Sequence, residues 1–462
     1  MTTSRQLEIP FADGRSGSGP ATWGQRAIWD VVNRLAPADR PRYNIGTATP
    51  LDPGLPLPVV LAALGHLPHL HDSLHTRLLP EPDGPGLRQT VDPVGTLPVL
   101  VRDLPAGTDR AGRTTAGAAL HRELTGRAFD SGTEWPIRAG LVTADGLVRH
   151  ISLVLSHTAV DGTGMGLLVR DLTALALGAD PAEIRAGRTT QQPLEEAAFQ
   201  TSERGRKRDA NARAHTLRKL RAAPARLFPP APAADPAARF PNAVLSSPAL
   251  LRAVDTVAAA HRTGSSAVLL AATAAMTARL AGRPDAVLQV VVNNRFLSGL
   301  ADAVSVVAGD ALLHLQDADG EFGAAVRRTH AASIAAYRHA YYDRRLLDAE
   351  IERLSTDRVP LADRSCVFND TRDLLPGGLT APDPDPDPDV AGAGADGATT
   401  LDWPVEFDPR PGLTYALDAM RTPTALQLAM TADPSVLPRP AMERFLRGIE
   451  DLVLTEEHAL RP

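Results

Sequence analysis

The chain has 462 residues, a formal net charge of -6, 44% hydrophobic residues and one cysteine, Cys366. That length suits two or three domains, or two large lobes of one unit. The lone cysteine excludes an intramolecular disulfide framework, and the lack of a global basic excess argues against nucleic acid as a partner.

Taken in chain order, residues 1–20 are polar and Gly/Ser-rich and read as a flexible lead-in, without the apolar core of a signal peptide. From Thr22 the spacing predicts a helix, with Trp23, Ile28, Val31, Val32 and Leu35 able to share one face. A second helix is predicted over 59–70, behind a Pro-rich segment. Strands are predicted to end at Val101, to cover 137–142, and to cover 148–155, the clearest β-branched and leucine run of the first half. That last run stops at Ser156-His157, and 164–177 reads as a helix.

Residues 178–245 read as a basic helix followed by an extended Pro-rich linker. The basic stretch 204–226 is read as a solvated helix face, with contact to an acidic partner as the functional alternative. A second globular half begins at 246, with a helix over 265–280 and a strand over 286–292 that ends in Asn293-Asn294-Arg295. More helix follows over 320–354. Residues 371–400, including PDPDPDPD, are expected to form a mobile acidic loop. Strands at 413–417 and 425–431 and a helix over 439–455 close the chain. The most membrane-like stretch, 267–278, is too short to span a bilayer, so no membrane association and a cytoplasmic location are expected. The domain plan is a lobe over 21–177, the segment 178–245, and a lobe over 246–462.

Chemistry concentrates in Ser156-His157-Thr-Ala-Val-Asp161-Gly162-Thr-Gly164. A buried strand delivers a histidine into a turn containing Asp and Gly, and a helix follows. Strand ends hold side chains rigidly, and the loop beyond leaves them reachable. Histidine titrates closest to neutrality, which suits proton removal from an attacking nucleophile. Gly162 permits close backbone approach and an N–H free for a developing oxyanion. A Ser-His-Asp hydrolase triad is poorly supported, because adjacent strand residues Ser156 and His157 point to opposite faces and no G-x-S-x-G elbow precedes them. The H-x-x-x-D spacing does not fit a zinc site, and no metal is expected.

The Ser-His-Thr-Ala-Val-Asp-Gly run resembles the His-His-x-x-x-Asp-Gly motif of nonribosomal peptide synthetase condensation domains and their chloramphenicol-acetyltransferase-like relatives. Other stretches agree in order: Thr22-Trp-Gly-Gln25-Arg-Ala-Ile28-Trp29, Tyr43-Asn44-Ile45, His71-Asp-Ser-Leu74-His75-Thr76-Arg-Leu78, and residues 269–295. The resemblance spans residues 20 to about 455 and is identified as that of a free-standing member. It implies an α/β (α+β) fold of two acyltransferase-like lobes in a V-shaped pseudo-dimer, with the active site at their interface.

It also implies roles. His157 would be the general base, or would position the nucleophile, and Asp161 would pair with Arg295 of the second lobe to fix the turn. Ser156, in place of the motif's first histidine, would hydrogen-bond locally, and Asn369 would line a substrate channel. Ala27 and His75 replace two motif arginines, which implies altered packing. The implied activity is amide or ester formation between an acyl or aminoacyl thioester and an amine or hydroxyl acceptor, itself a small molecule or carrier-bound. The donor would arrive on the 4'-phosphopantetheine of a carrier protein in trans, and no cofactor would be bound intrinsically. The alternatives are an acyl-coenzyme A-dependent acyltransferase and a catalytically inactive recruitment module.

Overall fold

The computed structural model describes residues 2–461 apart from 13, 83, 85, 229–237, 356–360, 363, 373–396 and 411. Most of the acidic stretch expected to form a mobile loop over 371–400 therefore lies outside the described residues, as does the Pro/Ala run 229–237. The described residues divide into two units, one of residues up to Lys207 with Asn293–Ala308, the other of Arg208–Val292, Gly309–Arg372 and residues 397–461.

The first unit runs β1 (Thr3–Phe11), β2 (Gly17–Pro20), α1 (Trp23–Arg34), β3 (Asn44–Pro56), α2 (Leu57–Leu70), β4 (Thr76–Pro80), β5 (Leu87–Val91), β6 (Gly95–Asp103), α3 (Arg110–Thr125), β7 (Ile137–Ala144), β8 (Leu147–Ser156), α4 (Gly162–Ala176), α5 (Pro181–Ala186) and α6 (Pro193–Thr201). Five strands form one sheet in the order β1-β6-β7-β8-β3, and β2-β5-β4 form a small second one. The β6–β7 pair is parallel, which requires the crossover that α3 supplies.

Both faces of the large sheet are covered, which is why β7 is buried at every position. Side chains alternate across a strand, so Ile151, Leu153 and Leu155 of β8 meet Leu64 and Leu67 of α2 and Leu168 and Leu172 of α4. On the other face, Val142 and Val154 pack under Leu120 and Leu124 of α3.

Two sequence expectations differ from this architecture. Residues 1–20 are not a loose lead-in: β1 pairs along its whole length with β6, and β2 pairs with β5. Leu7, Ile9 and Phe11 recur at the strand period and turn inward, a signal masked by the polar residues between them. In 178–245 the expected basic helix is the long α7 (Glu203–Ala222), but two helices that were not expected, α5 and α6, precede it. On α7, Arg213 pairs with Asp209 at 3.0 Å and also with Glu350.

The second unit continues with β9 (Phe240–Ser247), α8 (Pro248–His261), α9 (Ser265–Ala281), β10 (Ala286–Val292), β11 (Gly309–Leu315), α10 (Phe322–Tyr337), α11 (Arg344–Leu354), β12 (Cys366–Asp370), β13 (Thr400–Phe407), β14 (Tyr415–Arg421), β15 (Leu426–Ala432) and α12 (Arg439–Ala459). Its seven strands run β11-β10-β12-β14-β15-β9-β13. Leu250 and Val254 of α8, Leu269 and Leu270 of α9, and Phe445 and Ile449 of α12 share its core with Phe368, Tyr415 and Leu417. The apolar stretch 267–278 is part of α9 and is almost wholly buried in this core. Among the described residues, no single helix is long and apolar enough to cross a membrane.

Candidate active site

Strand β8 lies between β7 and β3 and ends at Ser156, so His157 is the first residue of a turn anchored by strands on both sides. The Ala159 amide donates to the Ser156 carbonyl at 2.9 Å and closes that turn. Ser156 Oγ lies 2.8 Å from Thr158 Oγ1 and accepts from the Thr158 amide at 3.3 Å. Its hydroxyl is thus engaged within the turn.

The His157 ring is partly buried, with its Nδ1 at 2.9 Å from the Val160 carbonyl. A carbonyl oxygen can only accept, so Nδ1 carries the proton and Nε2 carries the lone pair. Burial lowers the imidazole pKa from its ordinary value and outweighs the opposing pull of the Val160 carbonyl and the Asp161 carboxylate. The ring is therefore neutral at neutral pH and able to accept a proton at Nε2. The Tyr43 ring lies 6.4 Å away, centroid to centroid, from the residue that precedes β3.

Asp161 is the N-cap of α4, its Oδ1 accepting from the Gly164 amide at 2.7 Å. Its Oδ2 accepts from the Val307 and Ala308 amides at 2.9 and 2.8 Å. The Arg295 guanidinium adds a forked contact, Nη1 at 3.0 Å from Oδ2 and Nη2 at 2.8 Å from Oδ1. Arg295 also donates to the carbonyls of Ala303 and Ser305, at 2.8 and 3.3 Å. Asp161 and Arg295 are both buried, and every oxygen of the carboxylate is occupied. Both oxygens are thus engaged within the protein.

By sequence order Arg295 was expected from the second lobe, yet its segment, 293–308, belongs to the first unit. The segment is stitched there at several points. Ser73 Oγ donates to the Val304 carbonyl at 2.6 Å, Arg170 pairs with Asp302 at 3.0 Å, and the Gln191 amide donates to the Gly299 carbonyl at 2.8 Å. Asn294 turns the chain into it with φ of 55°, a left-handed conformation that asparagine tolerates. Helix α1 approaches so closely that a Cβ at Gly24 would collide with the Val306 carbonyl.

Gly162 opens α4, and its amide and that of Thr163 have no hydrogen-bond partner among the described residues. These are the orphan donors of a helix N-terminus. Gly164 is required for close packing, since a Cβ there would lie 2.7 Å from Val160 Cγ2 and 3.2 Å from Arg295 Nη2. Its signal in the sequence is Asp-x-x-Gly at a helix start. The Val307 and Ala308 amides carried no such signal, because backbone donors leave no mark on residue type.

Beneath the turn, α4 is tied to the end of α2. His71 Nε2 lies 2.9 Å from Asp171 Oδ2, and Arg188 grips both oxygens of Asp171 at 2.6 Å. His75 is fully buried and its Nδ1–H donates to the Asp92 carbonyl at 2.7 Å, beside the Phe11 ring. Asn369 stands in the second unit, on β12, where its Nδ2 donates to Asp418 Oδ1 across to β14 at 2.8 Å. Among the described residues no group of His, Cys, Asp and Glu is arranged to hold a metal ion.

A family model described as the condensation domain matches residues 20–377. Phosphinothricin tripeptide synthetase PhsC of Streptomyces viridochromogenes is 29% identical over 376 residues, covering 79% of this chain and 34% of the relative. The chain spans about a third or less of the length of the curated relatives it matches. A solved condensation domain for chain release from the enacyloxin polyketide synthase has a TM-score of 0.70 at 18% identity, covering 95% of this chain and 82% of the other. The starter condensation domain of rhizomide synthetase, in complex with C8-CoA, has a TM-score of 0.66 at 20% identity, with 94% and 95% covered.

Proposed function

The chain belongs to the condensation-domain family, and from that premise we propose that it joins an acyl or aminoacyl thioester to an amine or hydroxyl, forming an amide or an ester. The observation that carries this reading is the state of His157. Its Nδ1–H is held by the Val160 carbonyl, its Nε2 is left unprotonated, and burial keeps the ring neutral.

The acceptor's N–H or O–H donates to Nε2, which orients its lone pair and removes the proton as that lone pair attacks the thioester carbonyl carbon. The carbonyl oxygen becomes an oxyanion, for which the Gly162 and Thr163 amides at the positive end of α4 are the available donors. Collapse breaks the C–S bond, and the proton on the imidazolium passes to the departing thiolate. The thioester is already activated, so the enzyme's contribution is juxtaposition and electrostatics, without a covalent acyl-enzyme. Asp161 and Arg295 act through position, by holding the turn and the start of α4.

The family relation favours a donor on the phosphopantetheine arm of a carrier protein. Acyl-coenzyme A is the second reading, favoured by the C8-CoA complex of the rhizomide starter domain. The test is purified protein with a loaded carrier or acyl-coenzyme A and a candidate acceptor, read by mass spectrometry. His157→Ala is expected to lose about 10²–10⁴-fold in rate. Undiminished product from that variant would overturn the role of His157. A partner bound without turnover across many donors would favour the recruitment module.

A further inference from the structure

At the far end of β8 from His157 lies a cavity of about 120 Å³, bounded by the irregular part of β3, the first residues of β8 and the start of α3. Its walls carry Arg110, Arg113 and Arg149, with Thr114 and His150. Arg110, Arg113 and Thr114 sit at i, i+3 and i+4 on α3 and so share one helix face. Among the described residues none of the three arginines has a carboxylate within ion-pair distance, although Asp52 is also in the lining. His150 is 6% exposed, and its Nε2 has no hydrogen-bond partner among the described residues; nor has the buried Nε of Arg149.

Three unneutralised guanidinium groups around one small concavity repel each other and raise its potential. Buried polar atoms without partners add a further cost, because such atoms are ordinarily satisfied. Both costs fall if a compact oxyanion enters, since guanidinium is a planar fork that matches phosphate oxygens. A water molecule takes about 30 Å³ of liquid volume, so the cavity has room for one phosphate-class anion with part of its hydration.

We propose that this cavity is a binding site for a small phosphate-bearing anion, held by Arg110, Arg113 and Arg149. It is separate from the catalytic turn: His150 and His157 are seven residues apart along an extended strand, on the order of 20 Å. The inference does not depend on the condensation reaction.

The test is isothermal titration of the full chain with inorganic phosphate, pyrophosphate and O-phosphoserine, each against sodium chloride at equal ionic strength, alongside thermal melting. Saturable binding and a raised Tm are expected from at least one of the three, and the one preferred tells free anion from phosphate ester. Arg113→Gln with Arg149→Gln should weaken that binding at least tenfold. Without anion, the same double variant should melt no lower than the parent, because it relieves like-charge repulsion. No saturable binding to any of the three, or parental affinity in the double variant, would overturn the proposal. So would a double variant that melts lower without anion, since the arginines would then serve the fold.

Discussion

Replacing Arg295 by alanine tests whether its buried pair with Asp161 braces the turn that carries His157. Asp161 is 2% and Arg295 8% exposed, so the pair is out of solvent. Without the guanidinium, the carboxylate keeps the amides of Gly164, Val307 and Ala308, and the Ser305 carbonyl keeps the Asp161 amide, while the Ala303 carbonyl loses the arginine donor. Removing one partner of a buried ion pair costs about 3–5 kcal/mol. The three amides that remain put the expected cost near the lower bound, about 3 kcal/mol. At roughly 2–4 °C per kcal/mol for a unit of 150–250 residues, Tm falls by about 6–12 °C. Melting followed by circular dichroism reads this directly. Arg295→Lys keeps the charge but not the fork, and should recover less than half of the loss. A shift of under about 2 °C in the alanine variant would refute the claim that the pair braces the turn.

Other outcomes follow from the same geometry. Gly164→Ala drives a methyl against Val160 and the Arg295 fork, so a loss of about 1–3 kcal/mol is expected; denaturant titration checks it. On the proposed role of His157 as a neutral base, whose pKa burial lowers, the acid limb of the rate profile should fall below about pH 6.5. An acid limb centred above that value would contradict the assignment. His71 is also held low, by burial that outweighs its hydrogen bond to Asp171. The unfolded chain then binds the extra proton first, so stability is complete above about pH 6.5 and declines as pH falls from there toward the lowered value. Melting temperatures across that window should show a decline that His71→Gln flattens.

Much of the site was legible because its signals are local. A β-branched run marks β8, histidine follows it, and Asp-Gly-x-Gly marks the capped start of α4, all within eighteen residues of one segment. The ordered motif series also pointed to the family that the comparison found. Other features were hidden by composition. The inward residues of β1 are separated by Glu8 and Pro10, and the Pro-rich signature of 178–245 obscured α5 and α6. Tyr43 was visible as part of a motif, but nothing in a single sequence reports that its ring stands beside His157.

The opposite limit is seen at Asp161. Its residue type and place before Gly162 mark it as a helix cap, and the cap bond to Gly164 spans only three residues. Its other partners are 134 to 147 positions away, and two of them are backbone amides. No periodicity encodes a contact at that separation. Whether 293–308 packs with the first unit or the second depends on which surface satisfies its turns and buries Val304. The sequence by itself determined the family, the principal strands and helices, and the residue types at the turn after β8, because propensity, capping and strand alternation act over a few residues. Only the tertiary structure decided that the Arg295 segment joins the unit carrying His157, that Asp161 is fully occupied, and that Nδ1 of His157 is the nitrogen bound to the Val160 carbonyl. Those outcomes rest on burial and hydrogen-bond satisfaction, which exist only once distant parts of the chain have met.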